Sequence, residues 1–296
     1  MLGTQNYTSD RSIEVYKQTQ QWFESSDLKV VLHDLSWVYF ILGKMIPQTM
    51  ESMWSGHFFP YTESWDELQI SFTLCIFGLY KQSMVSLRSG LELGLLSVYW
   101  NLNDDGHKVI KDWVHSKQDT PKLGEIAKKL AAHGNFKLLD DAFDLKIQLS
   151  EFNYLHNYVH TKGRKYSNTL ASKPVPGQHF DSKAIETWLQ AFEGVIRILC
   201  ILHLTKYPIG TVRYDFSRKF GIDIPAFGGL DKHEVDRLEH FIGTEIFQTI
   251  AHIGSIDPNV KEIMDWVQSL PDMTPEQLDQ QSFRLENLLG TNGQQS

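Results

Sequence analysis

Along the chain, apolar residues return at intervals of three and four rather than two, and Gly or Pro falls between the long segments that share this period. Such spacing lines one face of a 3.6-residue turn, so it predicts helices; the alternation that a strand needs is nearly absent. A first helix is expected from Ser9 or Asp10, either of which can accept hydrogen bonds from free first-turn amides, to about Ser25. A second is expected over 27–45, stopped by Pro47. The third is the longest, 64 to about 102: Ser64 followed by Glu67 is a capping-box pattern, and its length predicts a kink near Gly90 or Gly94. Shorter helices are expected over 106–115 and 122–132, then a longer one from 138 to about 162. Pro174, Pro176 and Gly177 mark 166–180 as a loop, after which Asp181 caps a long helix reaching Lys206. Beyond Pro208 a stretch rich in Gly and Pro (Gly210, Gly221, Pro225, Gly228, Gly229) leads to three last helices, starting at Asp231, Asp257 and Thr274. A frayed tail is expected over 293–296.

This pattern predicts an all-α protein, a helical bundle around a long central helix with a small C-terminal helical appendage. The bundle is expected over 1–206, a linker over 207–230 and the appendage over 231–296. An appendage of that size is near the lower limit for folding alone, so it is expected to dock on the bundle.

Composition narrows the class. Hydrophobic residues at 42% and charged residues at 22% are ordinary globular values, which excludes a wholly disordered or low-complexity chain. With 36 acidic against 28 basic residues, the net charge of -8 disfavours broad binding to polyanions but leaves room for a local basic site. Cys75 and Cys200 lie in apolar runs far apart in sequence, too far for a short-spaced metal knuckle, and are expected as buried reduced thiols. The first ten residues have neither a basic nor an apolar leader segment, and no apolar run is long enough to span a bilayer. A soluble, cytoplasmic protein without membrane contact is the expectation. Trp22, Trp54, Trp65 and Trp113 stand in polar surroundings, which suits a core or an interface.

Two helical faces carry chemistry. On the third helix Leu74, Phe77, Lys81, Met84, Arg88, Leu95 and Tyr99 fall within about 40° of Arg88, so two cations interrupt an apolar stripe. Opposite them Ser83, Ser86, Gly90, Gly94 and Ser97 form a ribbon of small residues that lets another backbone approach. Arg88 needs a partner, and Glu92, one turn on, is the nearest candidate. On the later helix Asn153, His156, Asn157 and Arg164 fall within about 60° of His160. Neutral amides with two histidines differ from an ordinary Lys and Glu solvent face, and can serve as a polar seam, a proton-transfer or phosphate site, or half of a metal site. Two histidines four apart can share zinc, but Asn157 stands where the usual glutamate would follow His156 and no third ligand is evident. No metal or other cofactor is expected.

From Phe152 through Phe180 there is no Asp or Glu, while Lys162, Arg164, Lys165 and Lys173 supply positive charge beside the histidines. Phosphate recognition needs local cations, and phosphodiester cleavage needs a proton acceptor and donor. Other enzyme patterns are missing: there is no glycine-rich dinucleotide fingerprint, phosphate loop or nucleophile elbow.

Ser86-Leu-Arg-Ser-Gly-Leu-Glu-Leu93, followed about sixty residues later by Leu149-Ser-Glu-Phe-Asn-Tyr-Leu-His-Asn-Tyr-Val-His-Thr-Lys162, resembles bacterial helical proteins related to the HEPN superfamily. The resemblance covers roughly 65–206. It implies an α-helical bundle that commonly dimerises and, in active branches, a metal-independent RNase whose histidine and arginine handle the scissile phosphate, often in toxin–antitoxin or antiphage systems. The family pattern is Arg, four to six residues, then His. His160 matches the histidine, but Asn153, Tyr154 and Leu155 occupy the arginine positions. Arg88 or Arg164 would then provide the cation.

The leading expectation is therefore binding or cleavage of RNA, with His160 and His156 as acid/base candidates, Arg88 beside them, and Asn153, Asn157, Lys162, Arg164 and Lys165 as binding residues. A non-catalytic module that forms a homodimer or binds a partner protein is the alternative. A metal-dependent hydrolase using His156 and His160 is the third.

Overall fold

The computed structural model describes residues 7–26, 28–46, 58–100, 102, 108–167, 177–222 and 229–292. Pro47, Trp54, Gly106, Lys173, Pro174, Pro176, Pro225, Gly228 and the tail 293–296, on which expectations above rest, lie outside the described residues. Among the described residues every regular element is helical, as the periodicity predicts: the protein is an all-α bundle. No helix there is long and apolar enough to cross a membrane.

The helix α1 (Ser9–Glu24) buries Val15, Thr19 and Phe23 on one face. Its cap is Thr8, not Ser9 or Asp10: the Thr8 hydroxyl accepts from the Arg11 amide. α2 (Leu28–Leu42) follows. The single third helix expected from 64 to 102 is instead a hairpin, α3 (Phe58–Ile76) and α4 (Tyr80–Tyr99). The chain reverses at Gly78, whose φ of 73° belongs to the left-handed region that glycine enters without penalty. A Cβ there would lie 2.9 Å from the His179 carbonyl oxygen and from Val15, so the turn also needs the space. Two parts of the sequence reading change as a result. Leu74 and Phe77 leave the stripe that carries Arg88, and Ser64 is mid-helix rather than a cap.

Ser64 works as a weld. Its hydroxyl donates to the Gly90 carbonyl at 2.6 Å and accepts from Tyr39 at 2.7 Å, joining α2, α3 and α4 inside the core. Glu67, its expected capping partner, instead accepts from the Ser86 hydroxyl. The ribbon of small residues is buried as expected, and a Cβ at Gly94 would stand 2.6 Å from Leu199 of the helix crossing it.

Further along come α5 (Lys108–Val114), α6 (Leu123–Leu130), α7 (Gly134–Phe143), α8 (Leu145–Glu151) and the short α9 (His156–Val159). The long helix expected over 138–162 is thus broken, first at Asp144, where φ is 49°. The central helix is α10 (Ser182–Lys206), which packs against α2, α4 and α7. Asp181 caps it as predicted, accepting from the amides of Lys183 and Ala184. At its far end Lys206 donates to the carbonyls of Ser97 and Trp100 at 2.7 and 3.0 Å, tying α10 to the last turn of α4, and burial pushes its pKa well below the ordinary lysine value.

After α11 (Ser217–Phe220), the helix expected to start at Asp231 is two, α12 (Lys232–Ile242) and α13 (Thr244–Ile256), separated at Gly243 with φ 94°. They precede α14 (Pro258–Ser269) and α15 (Pro275–Asn292). Val235, Leu238, Ile242, Phe247, Ile250 and Ile253 belong to the same apolar cluster as α2, α4 and α10. Polar ties reinforce this: Glu234 pairs with Lys44, and Arg237 pairs with Asp34 while lying 3.9 Å over the Trp37 ring.

His203 on α10 is fully buried, its Nδ1 donating to the Leu199 carbonyl at 2.8 Å and its Nε2 facing the Ser97 hydroxyl at 3.4 Å. Burial lowers its pKa to about 4, opposed by the Leu199 bond and aided by Lys206. An unfolded imidazole takes up its proton near pH 6.5, before the folded one does, so stability is full above about pH 6.5 and falls until about pH 4. Full loss amounts to about 3 kcal/mol at 1.36 kcal/mol per pH unit. Urea midpoints should therefore fall from pH 7 to pH 4.5, and the slope should flatten in His203→Gln; an unchanged slope in that variant would assign the acid sensitivity elsewhere.

Candidate functional site

The polar stripe on 153–160 is held outward by apolar anchors beneath it. Leu149 and Leu155 are buried, and the Phe152 ring reaches α10, where a Cβ on Gly194 would meet it at 3.4 Å. Between α8 and α9 the chain tightens into a 3₁₀ turn over Phe152–Leu155, and α9 then lies against α4. The chain turns away after His160, with φ of 47° at Thr161 and 83° at Gly163. That turn removes Arg164 from the helical face on which the sequence placed it: it opens a separate 3₁₀ turn, Arg164–Tyr166, and its side chain is exposed.

Packing α9 on α4 brings Arg88 to the histidines. Arg88 Nη1 lies 2.7 Å from His156 Nδ1, and the His156 and His160 ring centroids are 4.2 Å apart. A guanidinium has only donors, so the His156 Nδ1 accepts and its proton sits on Nε2. Glu92 holds the other side of Arg88, accepting from Nε at 2.9 Å and from Nη2 at 2.6 Å, the i,i+4 pair the sequence predicts. Arg88 and Glu92 are partly exposed rather than sealed in the core, with side chains 25% and 34% accessible. The group can therefore meet a ligand.

Partial desolvation, then the charges of Arg88, His160 and Lys162, lower the pKa of His156; Glu92 acts the other way. His156 should titrate below the ordinary imidazole range in an NMR pH series, and Arg88→Ala should raise its midpoint by removing a facing cation. An unmoved midpoint would mean that the Arg88–His156 contact does not persist in solution.

Beside the cluster a cleft of about 520 Å³ opens, lined by Arg88, Glu92, Asn153 and His156 on one side and by 120–124 on the other. The expected site residues thus divide. Arg88, His156, His160 and Asn153 come together, and Lys162 is close enough to influence His156. Asn157 is half-buried and its carbonyl accepts from the Lys162 amide at 2.9 Å. Lys165 sits at a different cavity, its Nζ over the Tyr166 ring. Lys122 and Thr120 on the far wall of the cleft carry no signal in the sequence, because nothing local relates them to the histidines.

Among the described residues no group of three or more His, Cys, Asp or Glu side chains is arranged to hold a metal ion. Cys75 and Cys200 are buried and unpaired, with burial raising both thiol pKa values. No protein-family model, curated protein or solved structure matches the chain.

Proposed function

We propose that the protein is a HEPN-like RNA-binding protein that cleaves RNA by metal-independent acid/base chemistry at Arg88, His156 and His160. The contact between Arg88 and His156 at an open cleft, with the His160 ring tilted against His156, carries the reading. In this mechanism the Arg88 guanidinium and the His156 Nε2–H donate to the non-bridging phosphate oxygens and stabilise the charge that builds on them. His160 accepts the proton of the 2′-hydroxyl as that oxygen bonds to the adjacent phosphorus. The same proton then passes to the 5′-oxygen as its bond to phosphorus breaks. The products are a 2′,3′-cyclic phosphate and a free 5′-hydroxyl.

Two observations favour a second reading. Glu92 already binds Arg88 through two nitrogens, and Val159 beside the histidines is 42% exposed, which suits a face that dimerises or binds a partner protein. Incubating the purified chain with labelled single-stranded RNA in a chelator separates the readings. Cleavage with cyclic-phosphate ends is expected under the first. Intact RNA together with a concentration-dependent change in sedimentation would support the second.

A further inference from the structure

The face of α4 that presents Arg88 continues toward its start through Met84 to Lys81. Seven residues bring a helix back to almost the same angle and advance it by about 10 Å, so Lys81 stands below Arg88 on one side of the molecule. There a second cavity, of about 270 Å³, opens between the first turn of α4, the segment around Tyr158 and Lys165, and the first turns of α10.

Among the described residues its lining contains Lys81, Lys165 and Lys183 and no Asp or Glu. The neighbouring Asp181 is buried, and its Oδ1 is taken up by the amides of Lys183 and Ala184. Leu79, at the N-cap of α4, makes no side-chain capping bond, so the positive end of this long helix meets the cavity uncapped. Tyr80, Tyr158 and Met84 add aromatic and apolar wall. Lys81 also donates to Thr161 at 2.7 Å, tying the α4 wall to the segment that follows His160.

We infer that this cavity binds one nucleotide unit of an RNA strand next to the phosphate held at Arg88, the lysines taking its phosphate and the tyrosine rings its base. Cations alone would suit any phosphate. The aromatic wall beside them selects a phosphate that carries a base, because every base offers a face for stacking. The continuity of the Lys81–Arg88 face places this subsite in line with the cleft. The inference rests on the proposed action on RNA, but the cavity can be tested apart from cleavage.

The test uses the full-length chain, a labelled 2′-O-methyl RNA hexamer that cannot supply the attacking hydroxyl, 5′-AMP and inorganic phosphate. Lys165→Glu with Lys183→Glu changes two exposed side chains, so the melting temperature should hold while binding of the hexamer and of 5′-AMP weakens by about tenfold or more, with a shallower salt dependence. Lys232→Glu with Lys261→Glu makes the same charge change on exposed residues elsewhere and should leave binding nearly unchanged. The inference falls if the cavity variant binds like the unaltered protein, if the control pair weakens binding equally, if inorganic phosphate binds as tightly as 5′-AMP, or if the unaltered protein binds neither nucleotide. Specific binding of 5′-AMP without any RNA cleavage would overturn the cleavage reading alone. RNA cleavage with unchanged binding in the cavity variant would overturn the subsite alone.

Discussion

Under the proposed mechanism, His160→Ala and Arg88→Ala are each expected to cut RNA cleavage, by about 10²–10⁴-fold for the proton carrier and about 10²–10³-fold for the charge stabiliser. The two losses have different causes and should be separable. Without His160 the proposed acceptor of the 2′-hydroxyl proton is gone, so the rate should fall while RNA binding persists. Without Arg88, the developing phosphate charge loses its nearest cation and His156 loses the donor that sets its tautomer, so binding and rate fall together. Arg88→Lys keeps the charge but not the fork of donors that reaches both Glu92 and His156, so it should recover binding more than rate. His160 is exposed, and its replacement should leave the melting temperature nearly unchanged. Single-turnover cleavage of labelled RNA, with anisotropy for binding, measures both quantities. Cleavage at the unaltered rate in purified, folded His160→Ala would remove this residue from the mechanism.

The largest loss of stability is expected from Trp188→Ala, at about 3–5 kcal/mol for a fully buried aromatic side chain. Trp188 is wholly inaccessible on α10, its ring tilted against Phe192 and Phe72, and its Nε1 donates to the Ser71 hydroxyl at 2.9 Å. Ser71 in turn donates to the Ser83 carbonyl at 2.8 Å, and Ser83 returns a bond to the Ser71 carbonyl at 2.7 Å. Removing the indole leaves a cavity between three helices and takes away the donor that oriented Ser71. Trp188→Phe fills most of that space and loses the hydrogen bond, so a cost of about 1–2 kcal/mol is expected. Urea unfolding followed by circular dichroism distinguishes the two; equal losses would show that the bond rather than the volume dominates.

Helix content, the Asp181 cap, the burial of the small ribbon on α4 and the Arg88–Glu92 pair were legible because each depends on residues within about one helical turn. The same local reasoning failed at Gly78 and Asp144. Nothing in the 3.6-residue pattern on either side of Gly78 distinguishes one long helix from two that fold back. The reversal depends on Val15 and His179 packing over a residue that has no side chain. Ser64 shows the same limit, since a capping-box pattern became a buried tie once Tyr39 and Gly90 were brought to it.

By itself, then, the sequence determined that this protein is helical, which faces its helices bury, and that unusual polar residues collect around His156 and His160. Periodicity and capping are set by neighbours along the chain, so they can be read from it. Only the tertiary structure decided that Arg88, rather than Arg164, meets those histidines, and that Lys81, Lys165 and Lys183 share a cavity. Those meetings join residues far apart in sequence, and they arise because the 3₁₀ turn Phe152–Leu155, α9 and α10 pack on α4, burying Leu155 and the apolar side of α10.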